Sequence, residues 1–561
     1  MLARFAPALT IAILIGPVFA GLAGVLAPAF GYLPALGRSE LSLDPWRALF
    51  STPGLTQSIA VSLFIGFGST AISLAFVILV AAAGEGTRAF ALVRRLLSPL
   101  LAVPHVAVAI GLAFVIAPSG LVFRIWGGWL GGPQIPPDIL IVNDPYGLSV
   151  IAALALKEIP FLFLMVLAAK PQADVERSMM LARSMGYGRV AGWLKAVWPR
   201  IYAQIRLPVL AVLAYGLSVV DVALVLGPNT PPTLPVQILK WINDPDLSLR
   251  FQASAAAVLQ IGLVAIAIAV WIALEKIAGR AGRRWIEGGR RRWFERSAPI
   301  AASVVSGLYG TAAVLAATAL LLWSIARGWR YPDPTPSSYT LENWTRESPR
   351  AAELVTNSLL IGLTAAVIAL VLTILCLENE TRRGERRRGF QGLELLYVPL
   401  VAPQISFLLG LQILSIWLGV DESFAAVVFA HLVFVLPYVF LSISDPWRAV
   451  DPRYRHVALG LGVSENKALL TTRLPMLLPA VLSALALGLA VSIGQYLATV
   501  LIAGARWPTI TTEAVTLASG GDRRIIAVYA VLQMLLPFVA FWLALAAPRL
   551  AFRNRRGMGV S

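Results

Sequence analysis

The sequence predicts an all-α integral membrane protein of about twelve transmembrane helices, arranged as two homologous six-helix halves. Three observations predict it. Of the 561 residues, 58% are hydrophobic and only 13% are charged, whereas an average soluble domain carries about 25% charge. Apolar runs long enough for a helix to cross ~30 Å of hydrocarbon recur along the whole chain. A set of Gly and Pro landmarks in residues 1–285 returns in the same order in residues 286–561.

The first apolar run, 9–32, follows Arg4 and contains "PVFAGLAG", which resembles a signal peptide with a cleavage point after Ala20. The run continues past that point, so it reads as an uncleaved first span. Runs at 56–84, 91–117, 146–169, 205–228 and 252–278 complete the first set. The second set is 300–326, 354–377, 391–417, 422–445, 476–503 and 523–547, with only a short turn inside 391–445. Lys and Arg gather in alternate loops, notably "GRAGRRWIEGGRRRWFER" (279–296) and "TRRGERRR" (381–388). Short basic loops stay on the cytosolic side, which puts both termini there. The net charge of +17 is then a matter of topology and lipid headgroup contact, not of nucleic-acid binding.

Three landmarks mark the duplication. "AVPHVAVAIGLAF" (102–114) aligns with "VAPQISFLLGLQI" (401–413), setting Pro104 and Gly111 against Pro403 and Gly410. "KEIPFLFLMV" (157–166) aligns with "FVLPYVFLSI" (434–443), Pro160 against Pro437. "ARSMGYGRVAGWLKAVWPR" (182–200) aligns with "ALGLGVSENKALLTTRLPM" (458–476), Gly186 and Pro199 against Gly462 and Pro475. The first half also holds an outer loop, 118–145, that the second lacks. Parallel halves imply a pseudo-two-fold axis along the membrane normal, with a pathway at their interface.

Much chemistry is excluded. The one cysteine, Cys376, allows no internal disulfide. His105, His431 and His456 lie far apart and form no metal-ligand pattern. No GxxxxGK[ST] loop is present, so the chain carries no nucleotide site of that type. No Ser/His/Asp order stands out.

The third landmark predicts a short surface helix within 171–187 that stops at Gly186, where glycine permits φ > 0. A second helix is expected to run to Trp198, with Pro199 breaking it as the chain turns back to the membrane. This pair of stretches resembles the cytoplasmic EAA loop of ABC importer permeases, roughly E-A-A-x-x-x-G, nine residues, I-x-L-P. Ala182, Gly186 and Pro199 match in the first half; Ala458, Gly462, Leu474 and Pro475 match in the second. The glutamate position is Met180 or His456, and the alanine after it is Leu181 or Val457. An interface built on these residues leans on apolar fit.

"SIGQYLATVLIAG" (492–504) looks like a span of the iron(III) and thiamine importer group. "TTEAVTLASGGDRR" (511–524) followed by "AVYAVLQMLLP" looks closest to the YnjC-type permeases, assigned to thiamine by inference. The resemblance implies the ABC type I importer permease fold, with coupling loops at about 171–204 and 447–478. It implies a transport subunit of the bacterial inner membrane rather than an enzyme, with no cofactor of its own. ATP would be bound by two copies of a cytoplasmic ABC ATPase subunit, and a periplasmic or extracytoplasmic substrate-binding protein would deliver the cargo. That cargo would be thiamine or a related small solute, with iron(III) or a polyamine as the alternative.

Charged side chains inside spans are costly and mark function by default. Lys157, Glu158 and Asp221, with Gln495 and Tyr496 in the second half, are the candidate pathway residues. Lys157 and Glu158 point about 100° apart on a helix and cannot pair face to face. A structural Lys157–Asp221 bridge stands beside the pathway role. An ion-coupled secondary transporter is the rival class; it would need more such residues and no matched cytosolic loops. The outer loops 118–145, 228–250, 327–352 and 504–522 offer Trp126, Trp129, Asp138, Asp144, Trp241, Asp244, Asp246, Asp333 and Trp344 as a landing surface, although tryptophans also anchor at headgroup level.

Overall fold

The computed structural model describes residues 2–84, 90, 100–383 and 393–552. The start of the expected third span (91–99), the first residues of the ninth and most of the basic run 381–388 lie outside the described residues. Within them the regular structure is helical except for a short antiparallel ribbon, β1 (Ala326–Gly328) and β2 (Ser338–Tyr339), and an isolated bridge between Leu33 and Arg38. Among the described residues, ten helices are long and apolar enough to cross a membrane, and two sharply bent pairs raise the number to as many as twelve.

The first set comprises α1 (Leu2–Ala29), α2 (Asp44–Phe50), α3 (Leu55–Gly84), α4 (His105–Ile116), α5 (Leu121–Trp129), α6 (Leu148–Ala169), α7 (Val175–Ser184), α8 (Arg189–Ser218), α9 (Asp221–Leu226), α10 (Leu234–Ile242) and α11 (Leu249–Glu287). The second comprises α12 (Ser297–Ile325), α13 (Glu342–Arg382), α14 (Gln404–Trp417), α15 (Phe424–Ala449), α16 (Pro452–Gly460), α17 (Glu465–Met476), α18 (Leu478–Ile493), α19 (Leu497–Ala503), α20 (Ile510–Ala518) and α21 (Arg523–Ala551).

Helices α3, α6 and α8 pack together, and so do α13, α15 and α18. The opening helix of each set leaves its own group: α1 lies against α13 and α14, and α12 lies against α3 and α4. Lipid tails are as apolar as leucine, so such crossings depend on close van der Waals fit. The landmark glycines supply it. A Cβ on Gly24 would sit 2.7 Å from the Gly410 carbonyl oxygen, and one on Gly410 would overlap the Gly21 backbone. At the other crossing, a Cβ on Gly111 would meet Ala316 at 3.1 Å.

Two expected spans prove to be discontinuous. The span expected over 205–228 ends at Ser218, is extended at Val219, and restarts at Asp221. The span expected over 476–503 ends at Ile493 and restarts at Leu497. An unpaired carbonyl at membrane depth costs several kcal/mol, and in both places a buried polar side chain answers it. Gln260 on α11 donates to the Leu217 carbonyl at 3.0 Å. Thr511 on α20 donates to the Ile493 carbonyl while accepting from Gln533 at 2.7 Å.

The prolines behave differently from the expected breaks. Helix α8 runs unbroken through Pro199. A π turn over Trp193–Val197, with the Trp198 N–H bonded to the Trp193 carbonyl, adjusts the register where proline has no donor. The same π turn recurs over Leu469–Arg473, but there the chain bends by 79° between α17 and α18, just beyond Pro475. A second bend, of 94°, separates Leu395–Val401 from α14 at Pro403, where Ala402 takes the extended conformation favoured before proline.

Candidate functional site

The two landmark loops share one backbone design. Helix α7 ends in a glycine turn: Gly186 has φ +81, its N–H bonds to the Arg183 carbonyl at 2.9 Å, and the Tyr187 N–H reaches back to Ala182 at 3.0 Å. Helix α16 repeats it with Gly462 at φ +78, Gly462 to Leu459 at 3.0 Å, and Val463 to Ala458 at 3.1 Å. Both are Schellman caps, in which the alanine four residues before the glycine supplies the accepting carbonyl. The spacing of Ala182 from Gly186, and of Ala458 from Gly462, is therefore set by the turn. Ala182 is also buried against Gly192, where a Cβ would lie 3.2 Å from the alanine methyl. Ala458 and Ala468 are the buried small residues at the matching positions of the second loop.

The faces that these turns present are apolar and bare. Leu181 and Met185 are 58% and 59% exposed, and their counterparts Val457 and Leu461 are 62% and 78% exposed. In each loop the pair lies one helical turn apart on one side. Pro199 is exposed; Leu474 and Pro475 are half-buried in α17. His456, at the position of the family's glutamate, lines a cavity of about 300 Å³ with Arg448, Arg455, Glu465 and Arg473. Here the second loop is tied to the ends of α13 and α15: Arg473 donates to Thr381 at 3.0 Å and to the Trp447 carbonyl at 3.2 Å, and Arg448 grips Glu380 with two bonds of 3.0 Å.

At mid-span the structure separates the candidate charges. Lys157 is buried and donates to the carbonyls of Leu101 (2.7 Å) and Leu100 (3.4 Å), closing the turn before α4. It does not bridge to Asp221. Glu158 instead accepts from His105 Nε2 at 2.9 Å. The His105 ring packs on Tyr215 with centroids 4.9 Å apart. Asp221 starts α9 directly after the break; its carboxylate is buried and accepts the Val222 N–H at 2.9 Å. It lies within electrostatic reach of His105, Tyr215 and Tyr496, while Tyr438 lies within reach of Glu158. Tyr438 and Tyr496 of the second set thus lie near Glu158 and Asp221 of the first, with Asp221 and Tyr496 at the two breaks and Glu158 within α6. Gln495 lies in the second break, where its carbonyl accepts from Thr499 at 2.8 Å.

Sequence reading missed His105, Tyr215 and Tyr438. His105 had a signal, being a lone polar side chain beside Pro104 at the head of an apolar run. The tyrosines had none, because their hydroxyls are recognisable only by what faces them. It also missed His431, fully buried between Ser492 (2.7 Å) and Thr499 (3.1 Å), which ties the second break to α15. Among the outer-loop candidates, Trp126 and Trp129 are exposed, but Trp241 is buried and Asp144 is turned inward, capping α6 through the N–H groups of Leu148 (2.7 Å) and Ser149 (3.0 Å).

No family model matches the chain. It is 30% identical over 551 residues to the inner membrane ABC transporter permease protein YnjC of Escherichia coli K12, covering 96% of this chain and 98% of that protein. It is 28% identical over 264 residues to the "Putative 2-aminoethylphosphonate transport system permease protein PhnV" of Salmonella paratyphi A, covering 46% of this chain and 97% of that one. It is 28% identical over 137 residues to the spermidine/putrescine transport system permease protein PotC of Haemophilus influenzae, covering 24% of this chain and 53% of that one.

Proposed function

The chain belongs to the inner membrane ABC transporter permeases, and from that membership we propose that it forms the translocation pathway of an ATP-driven importer. The observation that carries the proposal is the pair of matched glycine-turned loops with bare apolar faces. A short surface helix whose leucine and methionine point into solvent needs a partner, and two such helices of the same design suit two copies of one ATPase subunit. Closure of the ATPases would pull both loops together. Rocking of the two halves, 1–285 against 286–561, would then open the pathway to alternate sides. Both termini, and the loops, would face the cytosol, and a substrate-binding protein would dock on the outer surface.

The pathway would pass the two helix breaks, which hold Asp221, Gln495 and Tyr496, and Glu158 would line it from α6. Two carboxylates among tyrosine rings favour a small organic cation, through charge and cation–π contact. Thiamine and the polyamines both belong to that class, whereas an anionic phosphonate would meet a lining of the wrong sign. Lys157, engaged with backbone carbonyls, serves the architecture instead. A permease needs only a weak site, because tight binding slows release.

Co-purification tests the reading. The tagged chain should bring down an ATPase subunit at two copies per chain, and the complex should hydrolyse ATP faster with a loaded binding protein. A chain that transports without any ATPase subunit would return the rival, ion-coupled class.

A further inference from the structure

The segment between the two sets of spans does more than connect them. Helix α11 continues past its apolar stretch to Glu287, and the chain then folds back onto the first loop. Five hydrogen bonds hold it there. The Gly188 N–H donates to the Arg291 carbonyl at 2.7 Å. The N–H groups of Val190 and Ala191, the open start of α8, donate to the two oxygens of Glu295, each at 3.0 Å. Lys195 donates to the carbonyls of Trp285 (3.0 Å) and Arg290 (2.9 Å), its ammonium 4.6 Å from the centre of the Trp285 ring. The Arg291 side chain lies 3.5 Å from where a Cβ would stand on Gly186.

Glu295 satisfies two of the donors that every helix start leaves unpaired, and its charge suits the positive end of the helix. Gly188 is glycine for a reason visible here, since a Cβ there would overlap the Glu295 carboxylate. The second loop has a different hold. The Ser464 side chain at its helix start makes no cap bond, and among the described residues its holds include Arg473 on the ends of α13 and α15 and Arg382 on Asn466 at 2.9 Å. The two loops share a turn but differ mechanically: one is gripped by the segment that leads into the other half.

We propose that residues 285–296 are a brace for the first coupling loop, with Glu295 as the positioning residue that fixes the start of α8 so that motion at the loop enters the membrane through α8. This rests on the reading of 171–204 as an ATPase-coupling loop. Motion of the first loop then also pulls on α12, which the brace precedes and which packs on α3 and α4. The linker is thereby a mechanical tie between the halves.

The test uses the full-length chain purified with its ATPase subunit, as wild type, Glu295→Ala and Glu295→Gln. Amide exchange of residues 188–192 should rise about ten-fold in Glu295→Ala, the size of a lost helix cap, and less in Glu295→Gln, which keeps one acceptor. At equal amounts of assembled complex, stimulation of ATP hydrolysis by loaded binding protein should fall at least several-fold, with basal hydrolysis retained. Unchanged exchange at 188–192 overturns the brace. Raised exchange with unchanged stimulation overturns its role in coupling. Should Glu295→Ala not assemble, Glu295→Gln and Lys195→Met carry the same two readings. A wild-type chain that binds no ATPase subunit would sink the coupling reading itself, and the exchange measurement on the chain alone tells that failure apart from failure of the brace.

Discussion

Replacing Gly462 with valine and, separately, with asparagine isolates the backbone requirement of the second loop. Nothing lies within 4 Å of a Cβ at this position, so neither substitution meets a steric obstacle and the φ of +78 is the whole difference. Asparagine tolerates the left-handed region; a β-branched side chain does not. Holding valine there costs about 1–2 kcal/mol. Escaping that strain breaks the bonds from Gly462 to Leu459 and from Val463 to Ala458, at a net cost of about 1 kcal/mol each. Either way the turn loses about 2 kcal/mol, enough to unwind the end of an exposed nine-residue helix without disturbing the spans. The expected result is normal membrane yield for both variants, near-normal transport for Gly462→Asn, and a several-fold loss of transport and of stimulated ATP hydrolysis for Gly462→Val. Equal, normal stimulation in the two variants would refute the reasoning.

The remaining expectations are as direct. A reporter inserted within 290–292 should read cytosolic and one within 333–338 external; the reverse would overturn the orientation. Asp221→Asn should cut uptake of an organic cation about ten-fold at unchanged yield of folded complex, because among the described residues no lysine or arginine pairs with Asp221; a fall in yield instead would make the residue structural. Lys157→Met should lower that yield, since it strands the Leu101 carbonyl at a cost of about 3 kcal/mol; full yield in a thermal unfolding assay would remove its architectural role. Gly410→Leu should destabilise the crossing with α1 by about 3 kcal/mol, while Gly262→Leu, with open space around its Cβ, should be silent in the same assay.

The sequence by itself determined the class of protein, the approximate spans, and the paired loops. These follow from local properties: the length of an apolar run, the charge of the loop beside it, and a glycine at a fixed distance from an alanine. Gly186 and Gly462 were legible because a Schellman cap is closed within six residues. Tertiary structure decided what depends on partners distant in the chain. The breaks at 219–220 and 494–496 were invisible in apolar text, because they persist only where Gln260 and Thr511 arrive to satisfy the freed carbonyls. Pro199 signals a stop in sequence, yet a π turn carries the helix through it. Lys157 and Asp221 make a plausible ion pair on paper. Folding gives the lysine to the Leu100 and Leu101 carbonyls and Glu158 to His105, because a buried charge is held by whichever groups the packing brings within hydrogen-bond distance, and composition does not specify that distance.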